Sequence, residues 1–113
     1  MAQARGRTPT RYDIRSDEHR HLRREAGQLV KSHRKAAGLS QMELSKRLNM
    51  DYYTFISQVE TGARRLPTEE IEHWARALEI RDVQSFARAL LRCYDPLMYE
   101  LCFGGETKAG TDA

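Results

Sequence analysis

The sequence predicts an all-α fold: a compact domain of five or six short helices. Three observations predict it. Apolar residues recur at i, i+3, i+4 and i+7 through most of the chain. Capping residues (Ser, Thr or Asp) precede these runs, and Gly or Pro follows them. No segment alternates apolar and polar residues with the period of a strand, and no segment repeats. A chain of 113 residues suits one domain with one core.

The elements follow in order. Residues 1–15, MAQARGRTPTRYDIR, carry Arg5, Arg7, Arg11 and Arg15 against a single acid, Asp13, and Gly and Pro interrupt any period. This composition reads as a disordered basic arm. Such an arm follows a phosphate backbone or a minor groove, or serves as a solubilising tail. Ser16 is the expected N-cap of the first helix, with Asp17 and Glu18 in its first turn, where the helix dipole favours acids. Leu22, Ala26, Leu29, Val30 and His33 then recur at helical spacing through Ala36 and Ala37, and Gly38 fits as the left-handed stop. Gly27 lies inside this helix, where glycine costs about 1 kcal/mol relative to alanine. It marks either a close helix contact or a weak point.

Ser40 and Glu43 form the Ser-x-x-Glu capping box of a second helix, which runs to about Leu48. After Asn49 and Met50, Asp51 is expected to cap a third helix from about Tyr52 to Thr61, closed by Gly62. Beyond the ARRLP loop, Thr68 caps a fourth helix whose stripe is Ile71, Trp74, Ala75 and Leu78. Trp74 is expected in the core. Asp82 caps a fifth helix bearing Val83, Phe86, Ala87, Leu90 and Tyr94. Asp95-Pro96 ends it and opens a sixth, with Leu97, Met98, Leu101, Cys102 and Phe103, which Gly104-Gly105 should stop. The expected division is a disordered arm (1–15), a helix-turn-helix domain (16–80), a C-terminal helical extension (81–104) and a disordered tail (105–113).

Composition narrows the function. Hydrophobic residues make up 40% and charged residues 31%, as in ordinary soluble proteins. No apolar run is long enough for a membrane span, and the N-terminal arginines lack the apolar stretch of a secretory signal, so a cytoplasmic protein is expected. The net charge of +3 hides an asymmetry. Residues 1–66 hold 14 Lys/Arg against 7 Asp/Glu, and residues 67–113 hold 5 against 9. A basic half joined to an acidic half suits a polyanion at one end and a different partner at the other. Cys93 and Cys102 lack metal-ligand spacing and read as reduced, buried small hydrophobes; the four histidines are scattered. No phosphate-binding glycine loop, His-Glu-x-x-His or nucleophile motif is present. An enzyme, a metal site and a cofactor are therefore not expected.

The stretch SQMELSKRLNMDYYTFISQVETG, residues 40–62, is the informative one. Two helices joined by a tight turn make a helix-turn-helix, whose second helix fits a DNA major groove while the first crosses the backbone. On the second helix Tyr52, Ile56 and Val59 are expected to face inward. Tyr53, Thr54, Ser57 and Gln58 are expected to face outward and read bases. They are short, uncharged hydrogen-bonding groups where an ordinary surface helix would carry Lys and Glu, and Gln pairs bidentately with adenine. Tyr53 either touches sugar or a thymine methyl, or packs against the preceding helix. Arg64 and Arg65, just beyond, suit phosphates. Lys46 and Arg47 read as solvated surface.

From about Leu29 to Ile80 the chain resembles the Cro/phage-repressor (XRE) helix-turn-helix family. The matching pieces are GLSQMEL at 38–44, the turn positions Leu48 and Met50, ISQVETG at 56–62 and WARALEI at 74–80. The family has a small residue and a glycine at the positions of Ser45 and Asn49. The span from Asn49 to Gly62 is one residue longer than the common pattern, with the extra residue placed near Asp51-Tyr52. The resemblance implies that Ser40 and Gln41, at the start of the second helix, meet a phosphate, and that Glu60 makes a structural ion pair or hydrogen bond. DYYTFISQVETG and LLRCYDPLMYELCF together resemble small bacterial regulators of this family with an added C-terminal helical piece.

Leu90, Tyr94, Leu97, Met98, Leu101 and Phe103 belong to more apolar surface than so small a domain needs. They are expected to line a homodimer interface, unless the last helix folds back on its own core. The expected protein is a dimeric regulator of transcription that binds double-stranded DNA at an inverted repeat, repressing by occupying a promoter. Glu69, Glu70 and Glu72 offer an acidic patch for RNA polymerase or another protein. The rival readings are an antitoxin-like module that neutralises a partner protein, and a non-specific architectural DNA binder.

Overall fold

The structure is a computed structural model that describes the backbone of residues 11–112 and the side chains of residues 19–104. It is all-helical. In order come α1 (Arg11–Ala36), α2 (Gln41–Arg47), α3 (Thr54–Thr61), a 3₁₀ turn (Thr68–Glu70) leading into α4 (Ile71–Ala77), α5 (Val83–Tyr94) and α6 (Pro96–Asp112). Among the described residues no helix is long and apolar enough to cross a membrane.

α1 is the spine, packed against both α3 and α5. Its apolar stripe puts Ala26 and Val30 fully inside, against Leu44, Ile56, Val59, Trp74 and Leu90. Each of the buried Val, Leu and Ile side chains contributes roughly 1.5–3 kcal/mol by leaving water. Trp74 sits in the core as expected, and the Phe55 ring meets it edge-on at 6.2 Å. Gly27 is a close-contact residue: a Cβ there would lie 2.5 Å from the Val59 carbonyl oxygen and 2.6 Å from the Glu60 carbonyl carbon. The backbone of α3 thus rests directly on α1, and the cost of a helical glycine is offset by that approach.

Several caps stand where the residue types place them. Ser40 Oγ accepts from the Glu43 backbone N–H (3.0 Å) while Glu43 accepts from the Ser40 N–H (2.8 Å). Asp82 accepts from the Ser85 N–H at 3.0 Å. Gly38 and Gly62 take left-handed φ of 76° and 88°, and Asn49 takes 59°.

Other expectations shift. α1 begins at Arg11, not after Ser16, because the breakers Gly6 and Pro9 both precede it and a serine inside a helix is only mildly unfavourable. The helical backbone therefore includes residues 11–15 of the expected arm; residues 1–10, with Arg5 and Arg7, lie outside the described residues, as do the side chains of Arg11 and Arg15. At the other end, Gly104-Gly105 do not stop α6, which continues to Asp112. Glycine weakens a helix but does not forbid it. Thr68 does not cap α4 directly; it opens the 3₁₀ turn, without a side-chain cap bond.

Candidate functional site

α2 and α3 form a helix-turn-helix pair whose connection spans residues 48–53. Asn49 in left-handed geometry turns the chain back, and the Met50 N–H donates to the Ser45 carbonyl at 2.9 Å. That bond folds Met50 against the core. Tyr52, expected inside, is instead 78% exposed. Met50 packs against the core, and the turn carries Tyr52 out. α3 starts at Thr54, with Tyr53 at its N-cap making no side-chain cap bond, and Asp51 caps nothing.

The two faces of α3 separate cleanly. Ile56, Val59 and Glu60 are buried. Thr54 and Tyr53 are exposed, and Ser57 and Gln58 are half-exposed. The four residues expected to read bases therefore stand at or beside the first two turns of α3 with polar groups toward solvent, and α3 carries no Lys or Arg.

Behind that face lies a buried ionic network that positions it. Glu60 is 3% and Arg34 8% exposed. Arg34 Nε and Nη2 donate to the two Glu60 carboxylate oxygens at 2.7 and 3.1 Å, and Nη1 donates to the Leu39 carbonyl at 2.7 Å. Gln41 Nε2 completes the set, donating to Glu60 Oε1 at 3.0 Å. The carboxylate thereby ties α3 to α1 and to the start of α2, and the same guanidinium holds the α1–α2 turn. The expected structural role of Glu60 is present as an ion pair. Its partner Arg34 was missed by sequence reasoning. The available signal was a cation four residues beyond Val30, on the apolar stripe of the first helix, where a charge needs a partner.

The residues expected at phosphates are placed as follows. Gln41 is half-buried with one amide N–H committed to Glu60. Ser40 is exposed, and its N–H and hydroxyl both serve the capping box with Glu43. Bonds from the Ser40 backbone and hydroxyl hold the Glu43 carboxyl below the usual carboxylate range. Arg64 and Arg65 are exposed in the loop after α3, their guanidinium groups 6.0 Å over the Phe55 ring and 4.7 Å over the Tyr94 ring. Arg47, expected to be plain surface, is tied to the Ala77 carbonyl (2.9 Å) and Glu79 (2.8 Å). In the acidic trio, Glu70 accepts from the Trp74 indole N–H at 3.3 Å, and Glu69 and Glu72 are exposed.

The expected dimer residues divide. Leu90 and Tyr94 are in the core, so they are not surface residues at all. They sit on the inner face of α5, and the Tyr94 hydroxyl accepts from the Leu66 N–H at 2.9 Å. Phe103 is half-buried under the Arg88 guanidinium at 4.8 Å. Leu97, Met98 and Leu101 are exposed along α6, which packs on α5. Cys102 is also exposed, contrary to its expected burial, while Cys93 is half-buried and its thiol is pushed up by that burial.

No protein-family model, no curated protein and no solved structure matches this chain.

Proposed function

We propose that this protein is a sequence-specific binder of double-stranded DNA that regulates transcription in the cytoplasm, acting as a binding protein rather than an enzyme. The observation that carries the reading is α3: an uncharged hydrogen-bonding face (Thr54 exposed, Ser57 and Gln58 half-exposed) backed by a buried one, in a helix-turn-helix pair braced by Arg34, Glu60 and Gln41. Such a face suits base edges in a major groove. The XRE-type resemblance over residues 29–80 supports the same reading. In it, Arg64, Arg65 and the start of α2 at Ser40 and Gln41 contact phosphates.

The exposed Leu97, Met98 and Leu101 support pairing with a second copy through α6. A two-fold pair would present two copies of α3 to half-sites about 34 Å apart, one helical turn of DNA. Repression then requires only that the bound dimer cover a promoter.

Selection of sites from a random duplex pool at physiological salt tests this. The expected result is an enriched inverted repeat. Binding without enrichment would favour an architectural role. A chain that binds no duplex but captures a basic partner protein would favour the antitoxin-like reading.

A further inference from the structure

The exposed chemistry around α3 is unusual in one respect: its N-terminal end is aromatic and carries no cation. Guanine offers two acceptors in the major groove, O6 and N7, and is read by the paired donors of Arg or by Lys. Neither residue occurs in α3 or in the 48–53 turn. Of the arginines around α3, three are held by protein groups and two stand in the loop after the helix, assigned above to phosphates. Arg34 is spent on Glu60 and Leu39, Arg23 donates to the Gly62 carbonyl at 3.1 Å, Arg47 is held by Glu79, and Arg64 and Arg65 lie over Phe55 and Tyr94.

What this end does present is apolar surface. Tyr52 is 78% exposed, Tyr53 is exposed as well, and Thr54 adds a methyl group. The thymine C5-methyl is the one apolar group on a base edge in the major groove. Gln58 adds an amide with the donor and acceptor that match adenine N7 and N6. Asp51, the one charged side chain in the turn, accepts only; it complements an amino group of adenine or of cytosine and does not choose between A·T and G·C pairs.

We propose that the half-site read by α3 consists of A·T pairs, recognised through thymine methyl groups packed against Tyr52 and Tyr53 and through an adenine edge at Gln58. The proposal rests on the reading that α3 enters a major groove. It makes Tyr52, the residue carried outward by the turn, a specificity determinant.

The full chain is used to select duplexes, and the best one is remade with deoxyuridine replacing thymidine, which removes only the methyl groups. Affinities are compared by fluorescence anisotropy at fixed salt. The expected outcome is an A·T-rich half-site and a loss of about fourfold for each methyl contacted, the worth of one buried carbon. Tyr52→Ala, an exposed position whose folding is checked by its melting curve, should bind the thymidine and deoxyuridine duplexes more nearly alike. A selected half-site with guanine at the α3 positions, or equal affinity for both duplexes, overturns the methyl reading and leaves DNA binding standing. Binding to no duplex at all overturns both.

Discussion

The α1–α3 junction and α6 solve the same problem in opposite ways. At the junction every apolar side chain of α3 that faces inward is covered, and the charge among them, Glu60, is met by three donors from Arg34 and Gln41. On α6, Leu97 and Leu101 remain 69% and 73% exposed although they are as apolar as anything in the core. The first region is complete within one chain. The second has an apolar face with no covering from its own chain among the described residues. An apolar stripe in a sequence thus states that a surface should be buried, and not by what. Each of the following substitutions breaks or sharpens that contrast.

The largest effect is expected at Arg34. Arg34→Ala leaves the Glu60 carboxylate buried with Gln41 as its remaining side-chain donor, and should destabilise the domain by about 3–5 kcal/mol in urea unfolding. Replacing both partners, Arg34→Met with Glu60→Leu, should recover much of that loss, since no unpaired charge remains. Recovery in stability without recovery of DNA affinity would show that the network's use is to position Gln41 and α3.

Next comes Gly27→Ala. The added methyl meets backbone of α3 rather than a side chain able to swing aside, so the helices must separate. A loss near the upper end of the ~1–3 kcal/mol range for overpacking is expected, although alanine is the better helix former. A neutral result would mean that the junction is looser than these distances.

Tyr94→Phe is expected to cost about 1–3 kcal/mol, the penalty of leaving the Leu66 N–H buried without its acceptor. Tyr94 also has a pH signature. Burial pushes its phenol above the ordinary range, opposed by the Leu66 hydrogen bond and by Arg65. Its folded-state value exceeds the unfolded one, so its contribution is full below the ordinary phenol range and is lost as pH rises through the folded value. Tyr94→Phe should flatten the alkaline limb of stability. The exposed caps behave in the reverse sense: hydrogen bonds from Ser40 and from Ser85 hold Glu43 and Asp82 low, so their stabilisation is present above the carboxylate range and is lost as pH falls through the folded values.

How much of this was legible in the sequence differs between the two regions. The helices, the capping box at Ser40, the Asp82 cap and the outward set of Thr54, Ser57 and Gln58 follow from local chemistry, because caps and helical spacing act within a few residues. The place of Tyr52 was not legible. It depends on the path of the turn, in which the Met50 N–H bonds to the Ser45 carbonyl and Met50, not Tyr52, packs against the core. Arg34 and Glu60 are 26 residues apart, and nothing local couples them. Leu90 and Tyr94 looked like spare surface because the sequence does not show that α1 covers α5.

The smallest effect on the fold, and the sharpest test of the contrast, is expected on α6. Leu97→Ser with Leu101→Ser removes two leucines that touch mostly water in the single chain, so the isolated domain should hold its stability within about 0.5 kcal/mol. If a second copy covers this face, the wild-type chain melts at a temperature that rises with protein concentration, because only the folded state pairs. The double variant should sediment as a monomer and melt independently of concentration. Its affinity for a single half-site should stay unchanged, while the gain from a second half-site placed one helical turn away disappears. A variant that still sediments as a dimer moves the interface away from α6. A wild-type chain that is monomeric at every concentration removes the second copy, and leaves the Leu97–Leu101 face to a different partner.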